Sequence, residues 1–134
     1  MRYLLDSSAL LAHLFGEPGV NSVRKLFHDP QAVIELSVLS ALELFTALNA
    51  RGQGDRFEGI WGQYWQIVDG VRAVDEAVAA KAVDLRRAAG RRLPNGDALI
   101  AATAALAGAT LVHRDPHFSA IPPALLQQIE LPQK

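Results

Sequence analysis

The chain contains no cysteine, which excludes disulfides, thiolate metal sites and cysteine nucleophiles and fits a reducing compartment. It has no apolar run of about 18 residues or more, so no membrane-spanning helix is expected. The N-terminus lacks a signal peptide's basic region, long apolar stretch and small-residue cleavage site, and the expectation is a soluble, cytosolic protein with no membrane partner. An excess charge of either sign is missing too. With 13 basic and 14 acidic residues the formal charge is -1, so no overall positive field draws the protein to nucleic acid, and any polyanion must be held locally. Repeats and low-complexity tails are likewise absent.

What is present is a chain of one-domain length, 134 residues with half of them apolar, and residues 1–134 are expected to form a single domain. Short β-rich runs alternate with longer helical patterns, the signature of an α/β fold with a mostly parallel sheet. Strands are expected at Arg2–Leu5, Ala32–Val38, Val71–Val74, Thr110–His113 and Gln128–Leu131. Helices are expected at Ser8–Phe15, Val20–Phe27, Ala41–Arg51, Arg56–Ile67, Glu76–Ala89 and Ala98–Ala107, with Gly59 and Gly62 weakening the fourth.

One arrangement recurs along this pattern: an acid set where an apolar strand or turn gives way to a helix or turn. Asp6 follows RYLL, Glu43 sits in VLSALELF, Asp97 stands between PNG and the apolar run ALIAATAALAG, and Asp115 follows ATLVHR. In a parallel sheet, residues just past the strands' carboxyl ends converge on one rim, where open α/β sheets place ligands. Four acids separated by 37, 54 and 18 residues would thereby become neighbours. Two full charges about 5 Å apart repel by roughly 3 kcal/mol at an effective dielectric of 20, so such a cluster calls for a cation. An all-oxygen donor set favours a hard divalent ion, Mg²⁺ or Mn²⁺, which commonly shares its coordination with a substrate phosphate. The chemistry implied is phosphodiester hydrolysis.

Each acid also has an ordinary reading. Asp97 after Asn95-Gly96 reads as a helix cap, and Asp6-Ser7-Ser8 as another. Ser40 with Glu43 has capping-box spacing, and Asp115-Pro116 can simply open a turn. The concurrence of all four is what favours a shared site.

The stretches LLDSSALLA, SALELF, DALIAATA and HRDPHF resemble, in order and spacing, the four acidic motifs of PIN-domain nucleases, most closely the VapC-type toxins of toxin–antitoxin pairs. The resemblance runs from Met1 to about Phe118. It implies an α/β/α sandwich with a central five-stranded parallel sheet, Mg²⁺- or Mn²⁺-dependent endoribonuclease activity, a homodimer and a cognate VapB-like antitoxin. Carried onto this chain, it makes Asp6, Glu43, Asp97 and Asp115 the catalytic and metal-binding acids. Ser7 is the hydroxyl after the first acid, and Ser8 a supporting or substrate contact. Many relatives have a hydroxyl two positions before the fourth acid; this chain has His113, whose imidazole either replaces that hydroxyl or does not.

Other residues stay open at this point. Arg86, Arg87, Arg91 and Arg92 precede the Asp97 motif, either as a solvated helix end or as a local patch for RNA phosphates, with Arg114 a further phosphate candidate. His113, Asp115 and His117 alternate along one segment and offer a weaker zinc reading, which Pro116 opposes. His13 and His28 read as surface or boundary residues. Phe57, Trp61, Tyr64 and Trp65 recur at helical spacing and are expected at an antitoxin interface rather than as base-stacking platforms. Competing classes are a haloacid-dehalogenase-type phosphatase, which needs a second Asp where Ser8 stands, and a receiver domain, whose paired acids are missing. A housekeeping PIN nuclease, or a non-enzymatic α/β binding module with its acids as caps, completes the alternatives.

Overall fold

The computed structural model describes Met1–Lys134. Five strands, β1 (Arg2–Leu5), β2 (Val33–Ser37), β3 (Gly70–Arg72), β4 (Thr110–His113) and β5 (Gln128–Glu130), form one fully parallel sheet in the order β3-β2-β1-β4-β5. The helices are α1 (Ser7–Phe15), α2 (Val20–His28), α3 (Leu39–Ala50), α4 (Phe57–Ile67), α5 (Glu76–Ala88) and α6 (Asn95–Ala107), with short 3-10 turns at Gly54–Arg56 and Pro116–Ala120. No helix is long and apolar enough to cross a membrane.

Successive strand residues point to opposite faces, and the central strands are apolar on both, as a doubly covered sheet requires. Leu4 and Leu111 pack under α5 and α6 with Leu85, Ala101 and Phe118; Leu5 and Val112 pack under α1 to α4 with Leu10, Leu36, Leu44 and Tyr64. Two cores on one sheet make the expected α/β/α sandwich. The buried acid in this patterning is Glu35 on β2, 7 % exposed, which receives Arg2 at 2.8 Å and Arg72 at 3.0 Å. Burial raises its carboxyl's pKa, but the two guanidiniums outweigh that and hold it below the usual value.

Element ends depart from the sequence reading in informative ways. Helix α3 starts at Leu39 rather than Ala41, because Ser37 Oγ accepts the Leu39 N–H at 3.1 Å and turns the chain straight from strand to helix. The capping box is therefore not formed: Ser40 lies buried inside the helix, and the residue at the cap position is Val38, whose side chain makes no hydrogen bond. Helix α6 starts at Asn95, three residues before the expected Ala98. Pro94 is extended at the cap, its carbonyl accepts the Ala98 N–H at 2.8 Å, and Asn95-Gly96 become the first helical residues instead of a turn. At the other end Gly108, at φ +63°, takes the left-handed conformation that stops the helix and returns the chain to β4. Helix α4 forms through Gly59 and Gly62, which face open space, because Ile60 and Tyr64 between and beyond them are anchored in the core.

From β1 the chain steps outward to β2 and β3, then crosses to the other side for β4 and β5. The directions part between β1 and β4. That is the topological switch point of an open α/β sheet, where the carboxyl ends of the strands leave a crevice.

Candidate active site

Asp6 sits at the end of β1 on this crevice. Its backbone N–H extends the ladder to the Val112 carbonyl at 3.1 Å, its own carbonyl accepts the Leu10 N–H at 3.0 Å to begin α1, and its side chain caps that helix by accepting from Ala9 N–H at 2.9 Å. Ser8 Oγ donates to the same oxygen, Asp6 Oδ1, at 2.7 Å. Both bonds fall on Oδ1, so the cap leaves Oδ2 free to do something else.

Beside it, β4 ends in His113, Arg114 and Asp115. The Asp115 N–H donates to His113 Nδ1 at 3.1 Å, which puts the ring proton on Nε2, and Nε2 donates to Gln128 Oε1 at 2.8 Å. His113 is 1 % exposed and packs on the Phe118 ring. Burial lowers its pKa, outweighing the neighbours that pull the other way. The imidazole thus does not stand in for a hydroxyl facing the acids; it positions the Asp115 backbone from behind. The Arg114 N–H donates to Ser8 Oγ at 2.8 Å, so one serine hydroxyl ties the end of β4 to Asp6. The Arg114 guanidinium, expected on the phosphate side, is buried instead against Glu17 at 2.7 Å and the Pro18 carbonyl at 3.2 Å.

The remaining two acids come from helix starts. Asp97 is the third residue of α6 and makes no capping bond, which corrects its reading as a cap. Its carboxylate is turned to Asp115 and to His117, whose Nδ1 lies 3.4 Å from Asp97 Oδ2 and 2.8 Å from Asp115 Oδ1. Glu43, exposed on α3, accepts a hydrogen bond from Ser7 Oγ. Two adjacent serines therefore reach in two directions, Ser7 to α3 and Ser8 to β4.

The electrostatics show the four carboxylates acting on one another. Burial, only partly offset by the Ser8 and Ala9 hydrogen bonds, pushes the Asp6 pKa up to about 7, with Glu43 and Asp115 adding to the rise. Asp97 is also raised to about 7, by burial first, then by Asp115 and Glu43, with the His117 imidazole pulling it down. Carboxyls that hold protons near neutrality, gathered with free oxygens on one rim, are what a divalent cation would displace protons from. The oxygen donors suit such an ion.

Of the basic residues, Arg86 is structural: it donates to the Leu93 carbonyl at 2.7 Å and Asn95 Oδ1 at 2.8 Å, fixing the start of α6. Arg87 pairs loosely with Asp84 on the exposed face of α5. Arg91 reaches the Pro116 carbonyl at 3.4 Å, and with Arg92 it lines a cleft of about 420 Å³ at the start of α6. Of the aromatic residues, Tyr64 is core, its hydroxyl 2.6 Å from His13 Nδ1, and so leaves the expected interface set. Phe57, Trp61 and Trp65 form a ladder along α4, joined by Phe45 of α3, with Trp65 and Leu42 well exposed.

The His113–Asp115–His117 zinc set is not assembled, because His113 turns into the core while His117 folds back on the acids. His117 is a neighbour of the acids that the sequence left out of the acidic site. The signal was present: Asp-Pro followed by a short turn sends the second residue's N–H, and its side chain, back to the aspartate.

The PIN domain family model matches residues 3–122. No curated protein matches by sequence. Among solved structures, VapBC2 from Rickettsia felis bound to a DNA fragment from their promoter superposes with a TM-score of 0.78 at 20% identity, covering 98% of this chain and 100% of that one. FitAcB from Neisseria gonorrhoeae gives 0.75 at 24% identity over 96% of each chain. VapBC-1 from nontypeable Haemophilus influenzae gives 0.74 at 19%, covering 97% of this chain and 98% of that one.

Proposed function

The chain belongs to the PIN-domain family, and from that premise we propose that it is a Mg²⁺- or Mn²⁺-dependent endoribonuclease acting as the toxin of a toxin–antitoxin pair. The observation that carries the reading is the meeting of Asp6, Glu43, Asp97 and Asp115, from four separate elements, at the β1/β4 switch point. Asp6 Oδ2, Asp97 and Asp115 would hold the ion, with Glu43 closing the cluster from α3. When bound, the ion supplies the charge that lowers the pKa of water and offsets negative charge gathering at phosphorus. The chain's own residues do the rest. Ser8 fixes Asp6 and the β4 end relative to each other, Ser7 aims Glu43, and Arg91 and Arg92 bind flanking phosphates along their cleft. Hydrolysis adds water oxygen to phosphorus as the bond to the leaving sugar oxygen breaks, and that oxygen takes up the proton.

The toxin role is supported by the likeness to VapBC and FitAB assemblies, and it brings three expectations for this chain: a VapB-like antitoxin, homodimerisation and work in the cytoplasm. The exposed Leu42 and Phe45, on α3 beside Glu43, and Trp65 on α4 are the anchors we assign to the antitoxin. The test is sequencing of cellular RNA 5′ ends after induced expression. Wild type should create new ends at a small set of sites within one RNA class, and Asp6→Asn should create none. New ends appearing equally with Asp6→Asn would contradict the assignment.

A further inference from the structure

Pro116 fixes the first position of the turn after β4, and Asp115 caps that turn by accepting the His117 N–H at 2.9 Å. This bond swings the His117 ring back over the acids. Nδ1 comes to 2.8 Å from Asp115 Oδ1 and 3.4 Å from Asp97 Oδ2, and one donor atom from each of Asp97, Asp115 and His117 lies within 4.8 Å of the others. Donors about 2.0–2.2 Å from a shared ion lie at most about 4.4 Å apart, so the trio needs little adjustment to meet one. The ring is held by nothing except these two carboxylates and is 46% exposed, so it is free to make that adjustment. His113, four residues earlier at the end of β4, is the opposite case, with both nitrogens engaged and the ring buried.

We propose that His117 Nδ1 is a direct ligand of the ion held by Asp97 and Asp115, and that this nitrogen tilts the centre toward Mn²⁺ over Mg²⁺. The inference rests on the reading of the acidic rim as a metal centre and adds one ligand to it. Mg²⁺ seeks hard oxygen donors in near-ideal octahedral geometry, whereas an imidazole is a softer donor that transition ions accept more readily. A site of carboxylates alone would discriminate less. The other role open to His117, a cationic counter-charge that leaves when an ion arrives, puts no nitrogen on the ion.

Pulsed EPR of the full chain loaded with Mn²⁺ separates the two, since a directly bound imidazole imprints ¹⁴N modulation on the Mn²⁺ echo. Wild type should show it. His117→Ala should lose the modulation and bind Mn²⁺ about tenfold more weakly, while its Mg²⁺ affinity, read by competition, changes less than twofold. Because His117 is half-exposed and outside both cores, the variant should fold, and a wild-type spectrum lacking the modulation is decisive without it. Mn²⁺ bound to wild type without ¹⁴N modulation, or modulation that persists in His117→Ala, overturns the proposal and leaves the metal centre standing. No Mn²⁺ binding at millimolar concentration overturns both.

Discussion

Asp6 serves three structures at once: it lengthens the β1–β4 ladder, caps α1 and carries a carboxylate into the crevice. Capping and metal binding were alternatives in the sequence; the structure makes them compatible, because the cap uses one oxygen. The cost appears in the protonation equilibrium. A carboxyl whose pKa rises from 3.8 to about 7 on folding keeps a proton in the native state that the unfolded chain has released. Its contribution to stability is fully present below the unfolded value and is lost as pH rises through the native one. Stability of the metal-free wild type, relative to Asp6→Asn, should therefore fall between about pH 4 and pH 7, by on the order of 1 kcal/mol per pH unit at its steepest. His13 and His113, depressed by burial, act oppositely below pH 6.5, but they are present in both proteins and cancel in the difference. Urea melts in EDTA at several pH values measure it, and a flat difference would mean that Asp6 is ionised throughout. At Asp97 the capping reading now makes a sharp contrast. Asn there removes no cap, so Asp97→Asn should leave the EDTA-treated protein as stable as wild type or more so, while the stabilisation gained from millimolar Mn²⁺ shrinks. A mutant that loses stability in EDTA yet gains as much as wild type from Mn²⁺ would make Asp97 a purely structural residue.

At the scale of elements, the segment leaving β4 shows why adjacent arginines and histidines are hard to assign from sequence. Arg114 and Asp115 are neighbours in the chain, yet one side chain goes down into an ion pair and the other up to the acidic rim. The partner that decides this, Glu17, lies after α1, 97 residues away, and it also receives Lys134 at 2.7 Å. Such a pair has no local signature. It gives Arg114 and Arg92 opposite phenotypes. Arg114→Ala takes the buried partner from Glu17, which keeps Lys134 at 2.7 Å and Arg51 at 3.5 Å, and should cost roughly 2 kcal/mol in urea melts. Arg92→Ala, on an exposed arginine, should stay within about 0.5 kcal/mol of wild type while weakening RNA binding and lowering its salt dependence. Equal stability losses, or unchanged RNA affinity in Arg92→Ala, would contradict these placements. What was legible was the succession of elements and every strand within a residue or two, because β-rich runs punctuated by Gly and Pro alternate with helical spacing. The shifted helix starts were not legible. Ser37 and Pro94, rather than the expected Ser40 and Asp97, set where α3 and α6 begin, and each depends on backbone geometry that local composition leaves open.

For the molecule as a whole, the crossover from the β3 edge back to β4 brings four acids spread over most of the chain's length into one cluster. The candidate site was legible because its residues are local exceptions, charges at the ends of apolar runs. The surface proposed for a partner was legible only in part: Trp65 is exposed as an interface requires, but Tyr64, on the same helical stripe, is a core residue bonded to His13, and the exposed Leu42 of α3 was outside the expected set. Expression of the chain alone should be toxic and become tolerated with the neighbouring small gene product. Trp65→Ala should weaken that rescue by about tenfold or more in partner affinity while the fold persists. Harmless expression of a catalytically active chain would instead favour a housekeeping nuclease. Cleavage of a labelled RNA by the purified chain, in Mg²⁺ or Mn²⁺ and then in EDTA, with Asp6→Asn, Glu43→Gln, Asp97→Asn and Asp115→Asn alongside wild type, addresses the central claim that these acids form one metal-dependent hydrolytic centre. The expected result is cleavage by wild type that EDTA abolishes and that each single substitution reduces by at least about a hundredfold. Cleavage that survives EDTA, or that Asp6→Asn and Asp97→Asn retain in full, would contradict it.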